Sequence, residues 1–451
     1  MTPRSAPDGL SRRALLRLGG GLGAAGLLGG ALTGCGRGAA AQPVTSGTVD
    51  LAFWTHDQVY YEFFSAAAEH AQAAGSPFTW RLHLTQASAQ DVVTKTIAQA
   101  IAGRGTPDVA GLEISSFTRV LRGDLAAELL QDLTEDVAEV REDLLPTRTA
   151  PYTKDGRLYA LDSDAPLCVF YHRLSEYERF GISPDFETWE EVLQAGGRLH
   201  EREGVSLGAV AVGSDLGQVV QMYELLTMQR GGRFFDEDGR LSIQTPEAEQ
   251  ALDLLVRAVQ SGCFSTVSDF YGPAMQAALK TGKVISVPMA TWYKVYGLRN
   301  NVPEQAGEWR IRPLPVFPGG GARTSFAGGT GFAALRGKEN TLAGVELIKA
   351  GFLTPEEQVR RYVEMGYLPT RRSVFDDPSL NEIEDEYCGG QRMFQVYREV
   401  IDEAPVFHLS ADRPVLDTVL SGYLLRAYHG DLSPREALDA AAEDFRGQTR
   451  S

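Results

Sequence analysis

Two short segments of this chain hold side chains that could grip a ligand: Trp54-Thr55-His56-Asp57 and Glu113-Ile114-Ser115-Ser116. An indole offers a flat apolar face, a carboxylate accepts from two hydroxyls, and an imidazole donates or accepts. That is binding chemistry, and the sequence adds no covalent chemistry to it. The 7 histidines are scattered without a His-Glu-x-x-His pair, and neither Gly-x-Ser-x-Gly nor Gly-x-x-x-x-Gly-Lys-Ser/Thr occurs. Of the 4 cysteines, Cys168, Cys263 and Cys388 lie far apart with no Cys-x-x-Cys, so one disulfide or three buried thiols accounts for them. No metal and no cofactor is expected.

The fourth cysteine has different surroundings. Arg12-Arg13 resembles a twin-arginine export signal, an uncharged stretch of about 17 residues follows from Leu18, and Leu32-Thr33-Gly34-Cys35 resembles a lipobox. The stretch is short and rich in glycine, which suits a signal peptide better than a membrane span. It contains Gly21-x-Gly23-x-x-Gly26, but no strand precedes these glycines and no βαβ unit surrounds them, so a dinucleotide site is not expected. Residues 1–34 are therefore expected to be a cleaved signal peptide, Cys35 a lipidated residue at the outer face of the cell membrane, and residues 35–47 a flexible tether. A formal charge of -16 argues against nucleic acid as a partner and fits a solvated surface.

Both candidate loops sit at the ends of predicted strands. Residues 49–54 alternate apolar and polar as a strand does, and Tyr60, Phe63, Phe64, Ala67, Ala68 and Ala71 then recur at helical spacing. Residues 91–102 read as a helix, 103–107 break it, and 108–112 read as a short buried strand. Strands alternating with helices imply a mostly parallel, doubly wound sheet, in which ligands bind beyond the carboxyl ends of the strands. The alternation resumes after Tyr159: strands at 167–171 and 207–212, a helix at 188–203 opened by a Thr188-x-x-Glu191 capping box, and helices at 216–230 and 245–261. Further helices are expected near 342–353, 355–365, 392–403 and 434–446. A chain of 451 residues is too long for one core. No internal period appears, which excludes a solenoid or propeller.

Seven motifs occur in one order along the chain: Gly103-x-Gly105-Thr106-Pro107-Asp108-Val109, residues 152–161 (Tyr-Thr-Lys-Asp-Gly-Arg-Leu-Tyr-Ala-Leu) leading to Phe170-Tyr171, Thr188-Trp189-Glu190-Glu191, Pro288-Met289-Ala290-Thr291-Trp292-Tyr293, Pro313-Leu314-Pro315, Gly328-Gly329-Thr330-Gly331-Phe332, and Leu368-Pro369-Thr370-Arg371. In these the chain resembles the extracellular solute-binding proteins of ABC importers, in the sugar-binding branch that includes the maltose-binding type. Asp162 stands where that family usually has proline. The resemblance implies an α/β fold of type II periplasmic-binding architecture, two doubly wound lobes joined by a multi-strand hinge. Lobe one would hold residues 48–162 and 331–378, and lobe two 165–327 and 385–451. Crossings are implied near 161–165, 327–330 and 376–387, with the ligand held between the lobes.

The same resemblance implies roles. Trp54 and Trp292 would stack on sugar faces, with Tyr293 beside them. Asp164, Glu113, His56 and Asp57 would bond hydroxyls at the sugar's rim, and Arg371 would donate two bonds to them. Gly328, Gly329 and Thr330 would bring backbone close to the ligand, and Tyr223 would face the cleft from its helix. Such a protein is a monomeric receptor that hands a mono- or oligosaccharide to a membrane permease and catalyses nothing. Its rivals are a sensory binding module, a binder of a non-sugar solute, and a secreted glycosidase working through two carboxylates.

Overall fold

The computed structural model describes residues 42–449. The export signal with Arg12 and Arg13, the lipobox and Cys35 lie outside the described residues. Regular structure begins at Gly47, in the strand Gly47–Thr55.

Two hydrophobic cores organise the chain. One gathers side chains from 49–161 and 332–367, the other from 165–327 and 368–445, with Leu145 and Tyr362 also reaching the second. The first surrounds a five-stranded sheet in the order Phe78–Gln86, Gly47–Thr55, Val109–Glu113, Thr330–Ala334, Leu161–Asp162. The first three strands run parallel because the helices Gln58–Ala73 and Ala89–Ile101 return the chain between them. Thr330–Ala334 is antiparallel to both of its neighbours. Phe53, Phe64, Phe332 and Phe352 pack around the sheet with ring centroids between 4.9 and 5.7 Å apart. Each such buried ring contributes roughly 1.5–3 kcal/mol.

The second core is built differently. Its strand Cys168–Arg173 lies between Ser286–Ala290 and Trp309–Arg312, antiparallel to both, while Gly208–Ala211 and Phe264–Val267 form a short parallel pair. The helix Trp189–Glu203 carries the capping box read from the sequence: Thr188 accepts from the Glu191 N–H and Glu191 reaches back to the cap. The helix Arg413–His429 has no counterpart in the sequence reading, because its buried face mixes Arg413 and Ser421 with Leu416, Leu420 and Leu424 while partly buried Val415 and Leu425 widen its apolar stripe.

Three segments join the cores. Ser163 N–H donates to Thr330 O at 2.9 Å, Cys168 N–H to Ser325 O at 2.8 Å, and Ala165 N–H to Leu368 O at 3.2 Å. The third crossing therefore lies at Tyr367–Leu368 rather than at 376–387. Tyr367 packs in the first core, whereas Leu368, Val374 and Phe375 pack in the second. The change of side follows the end of helix Pro355–Met365 at Gly366, whose left-handed backbone turns the chain toward the hinge.

Cys168, Cys263 and Cys388 are free buried thiols, each pushed up by burial. His172, 4% exposed at the centre of the second core's antiparallel sheet, is pushed down to about 4 by burial. A base that protonates more readily when unfolded costs stability as pH falls. His172 should therefore lower the unfolding free energy progressively from pH 6.5 toward 4. Urea midpoints measured at pH 7 and pH 5 should differ less in His172→Gln than in the parent; an unchanged difference would show that His172 does not set the slope.

Candidate functional site

A cavity of about 630 Å³ lies between the two cores. From the first come His56 and Asp57, at the carboxyl end of Gly47–Thr55, with Tyr60 one turn into the following helix and Glu113 at the end of Val109–Glu113. The crossings supply Asp164, Gly328, Gly329, Thr330 and Tyr367, and the second lobe supplies Asp215, Gln221, Tyr271, Trp292 and Tyr296. Ligand loops at the carboxyl ends of parallel strands are what a doubly wound sheet predicts.

Several wall residues are held by bonds within the protein. The Trp292 indole N–H donates to Ala327 O at 2.8 Å, which ties the ring to the second crossing, and the Tyr271 ring lies 5.6 Å away. Tyr271 O–H donates to Gln221. Asp57 caps the helix Gln58–Ala73 by accepting from Val59 N–H at 3.0 Å, and its other oxygen accepts from Tyr296 O–H of the second lobe. The hydroxyls of Tyr296 and Tyr367 are 3.1 Å apart. Glu113 accepts from the N–H groups of Ser115 and Ser116 at 3.0 and 3.2 Å, and Asp215 caps the helix Leu216–Arg230. His56 is pushed down by burial, so its imidazole is neutral at pH 7.

The hinge beside the cavity is strongly charged. Arg148 and Asp162 form an ion pair in which both side chains are 1% exposed. Arg148 also donates to Gly328 O at 3.2 Å and stacks 4.8 Å over the Phe326 ring, while Asp162 accepts from Thr330 N–H at 3.2 Å. Burial outweighs the arginine and pushes Asp162 up to about 6. Asp164, accepting from Ser163 Oγ at 2.7 Å, is raised by burial too. Arg361 is fully buried behind them, stacked 4.9 Å from the Phe352 ring centroid, and pushed down to about 10 by the same desolvation. Gly328 and Gly329 have φ of 85° and 128°, and a Cβ at Gly329 would stand 2.2 Å from the Arg148 guanidinium. Only glycine passes there.

The structure brings His56, Asp57, Glu113, Asp164, Trp292, Gly328, Gly329 and Thr330 together, and leaves out Trp54, Tyr223, Tyr293 and Arg371. Trp54 is 9% exposed in the first core, because the carboxyl end of its strand is covered on both faces. Tyr223 is wholly buried, donating to Ala248 O at 3.2 Å and packed against Phe234. Tyr293 points into the second core between Tyr171 and Phe270. Arg371 pairs with Asp143 at 2.7 Å and donates to Leu353 O at 2.6 Å, a structural clamp. Tyr60, Asp215, Gln221, Tyr271, Tyr296 and Tyr367 also line the cavity, where the sequence did not place them. Asp215, standing before a helical run, carried a local signal; the aromatics arrive from separate parts of the chain and carried none.

A second arm of about 250 Å³ shares Glu113, Asp215, Gln221, Tyr271 and Gly328 with the cavity and extends to Phe407 and Arg413. There Arg413 is held by Glu224 and by Asp417, the latter at 2.6 Å. Among the described residues no group of three or more His, Cys, Asp and Glu could hold a metal ion, and no helix is long and apolar enough to cross a membrane.

The sequence model of the bacterial extracellular solute-binding proteins matches residues 82–358, more than half of the chain. The arabinooligosaccharide-binding protein of Halalkalibacterium halodurans is 25% identical over 407 residues, 88% of this chain and 89% of its own. The Bacillus subtilis protein of the same name is 24% identical over 414 residues, 89% and 93% of the two chains. Among solved structures, the cyclic α-maltosyl-1,6-maltose binding protein of Arthrobacter globiformis superposes with a TM-score of 0.73 at 20% identity, over 89% of this chain and 99% of its own. The GacH receptor of Streptomyces glaucescens, solved unliganded and with acarbose, gives 0.70 at 19% identity, over 89% and 98%. With two cores, three crossings and a cleft between them, the matched family model establishes that this chain belongs to the bacterial extracellular solute-binding protein family.

Proposed function

We propose that this protein captures a mono- or oligosaccharide in the interlobe cavity and presents it to the permease subunits of an ABC importer, without catalysing a reaction on it. The observation that carries this reading is a tryptophan platform, Trp292 tied to Ala327, facing a cavity whose polar groups come from both lobes. Aromatic faces suit the C–H patches of a pyranose, and fixed carboxylates and amides suit its hydroxyls. The names of the arabinooligosaccharide-binding relatives support a saccharide ligand. Because contacts come from both lobes, a ligand binds the closed arrangement better than the open one, and that difference in affinity drives closure.

Within this reading, the lipid on Cys35 keeps the receptor at the outer face of the membrane, and one chain suffices for function. Residues 48–162 with 331–367 and 165–327 with 368–449 act as its two lobes. A thermal-unfolding screen of the purified protein against a sugar panel tests it. A saccharide at about 100 times its dissociation constant should stabilise the protein by about 2.7 kcal/mol. Stabilisation by no saccharide would overturn the sugar assignment.

A further inference from the structure

The second arm continues the ligand cavity. Glu113, Asp215, Gln221, Tyr271 and Gly328 line both spaces, which therefore meet at a junction beside the second crossing. Trp292 faces only the main cavity and Phe407 only the arm, while Tyr271 stands between them.

At about 250 Å³ the arm has roughly eight waters' worth of room, and Met228, Phe326, Phe407 and Leu409 give much of its wall an apolar character. Its charged groups Glu224, Arg413 and Asp417 are paired with one another. Water is poorly held beside apolar side chains, because an ordered water needs about two to four polar partners. A sugar ring fits better: its C–H faces lie on apolar side chains while its hydroxyls reach toward the polar junction.

The junction also holds a donor with a fixed direction. Gln221 lies within the helix Leu216–Arg230 and is half-buried; its Oε1 accepts from Tyr271 O–H, and its Nε2 has no partner among the described residues. An amide nitrogen only donates, so this group calls for an acceptor on the ligand. In a saccharide the oxygens that only accept are those within a ring and those that bridge two rings. Between two spaces that each take a ring, the group that arrives is a linkage.

We infer that the ligand is an oligosaccharide that enters both arms, with one ring on Trp292, another against Phe407, and the Gln221 amide donating to an oxygen at the linkage between the arms. This rests on the saccharide-receptor reading and narrows it.

Calorimetric titration of the full chain with mono- through tetrasaccharides of arabinose, glucose and galactose tests the inference. In a series that binds, the di- or trisaccharide should bind at least about tenfold more tightly than its monosaccharide, since only the longer ligand reaches Gln221 and the arm together. A smaller gain with length would overturn the inference and leave the receptor reading standing. Absence of binding by every member would overturn both.

Gln221→Glu keeps the acceptor for Tyr271 O–H and removes the donor. It should cost the oligosaccharide about tenfold or more, and the monosaccharide several times less. Gln221→Met, similar in length and uncharged, should show the same split, which separates loss of the donor from added negative charge. A role confined to the helix's structure would weaken both ligands alike, so equal losses in the two variants would refute the role of Gln221.

Discussion

Replacing Trp292 by alanine should weaken ligand binding by about 30- to 100-fold, a loss of roughly 2–3 kcal/mol of buried aromatic contact. The ring lines the cavity, lies against Tyr271 and is fixed in orientation by its bond to Ala327 O, so its face is ready before any ligand arrives. A platform set in advance loses little side-chain entropy on binding, which raises the cost of removing it. Trp292→Phe keeps a face and loses the anchoring bond, and should recover most of the affinity, remaining within about tenfold of the parent. Calorimetry with the tightest saccharide from the screen measures both variants, and far-ultraviolet circular dichroism checks that they are folded. Binding by Trp292→Ala within about threefold of the parent would show that the ring is not the platform.

Arg148→Ala should destabilise the protein by about 3–5 kcal/mol, because it leaves Asp162 buried without its partner. The cost should depend on pH in a defined direction. Asp162 is already raised to about 6 by burial, so in the folded state it takes up a proton more readily than when unfolded. Its unfavourable contribution is therefore complete above about pH 6 and is relieved as pH falls toward the unfolded value of 3.8. Loss of Arg148 should accordingly cost more at pH 8 than at pH 5, as read from urea unfolding curves. Arg148→Met combined with Asp162→Leu removes both charges, and should restore most of the stability lost in the single variant. A single variant that loses less than about 1 kcal/mol would show that the pair does not hold the hinge.

The hinge shows why part of this molecule was legible in its sequence and part was not. Asp162 was visible as a departure from the usual proline, but its partner lies 14 residues away in a short helical turn with no pattern of its own. Arg361 looks like an ordinary basic residue of an amphipathic helix, and only the packed structure shows it fully buried behind Asp164. The third crossing was misplaced for a similar reason. A chain passing from one lobe to the other needs no periodicity, so Tyr367 and Leu368 belong to different cores with nothing between them to mark the change.

By itself the sequence determined the features that local physics sets. Alternating periods of two and 3.6 predicted the α/β order, Thr188 and Glu191 predicted a helix start, and strand ends predicted that His56, Asp57 and Glu113 reach the ligand side. Tertiary structure alone decided which aromatics face the cavity. Trp54 and Phe53 are both buried because the carboxyl end of their strand is covered on its two faces, so the alternation that holds from Val49 to Ala52 stops there. Trp292 and Tyr293 are neighbours, yet at the entry to the π-helix Lys294–Arg299 one ring faces the cleft and the other the core. Tyr60, Tyr271, Tyr296 and Tyr367 meet from four separate segments, and no rule of spacing joins residues that only the packing of two lobes brings within reach of one ligand.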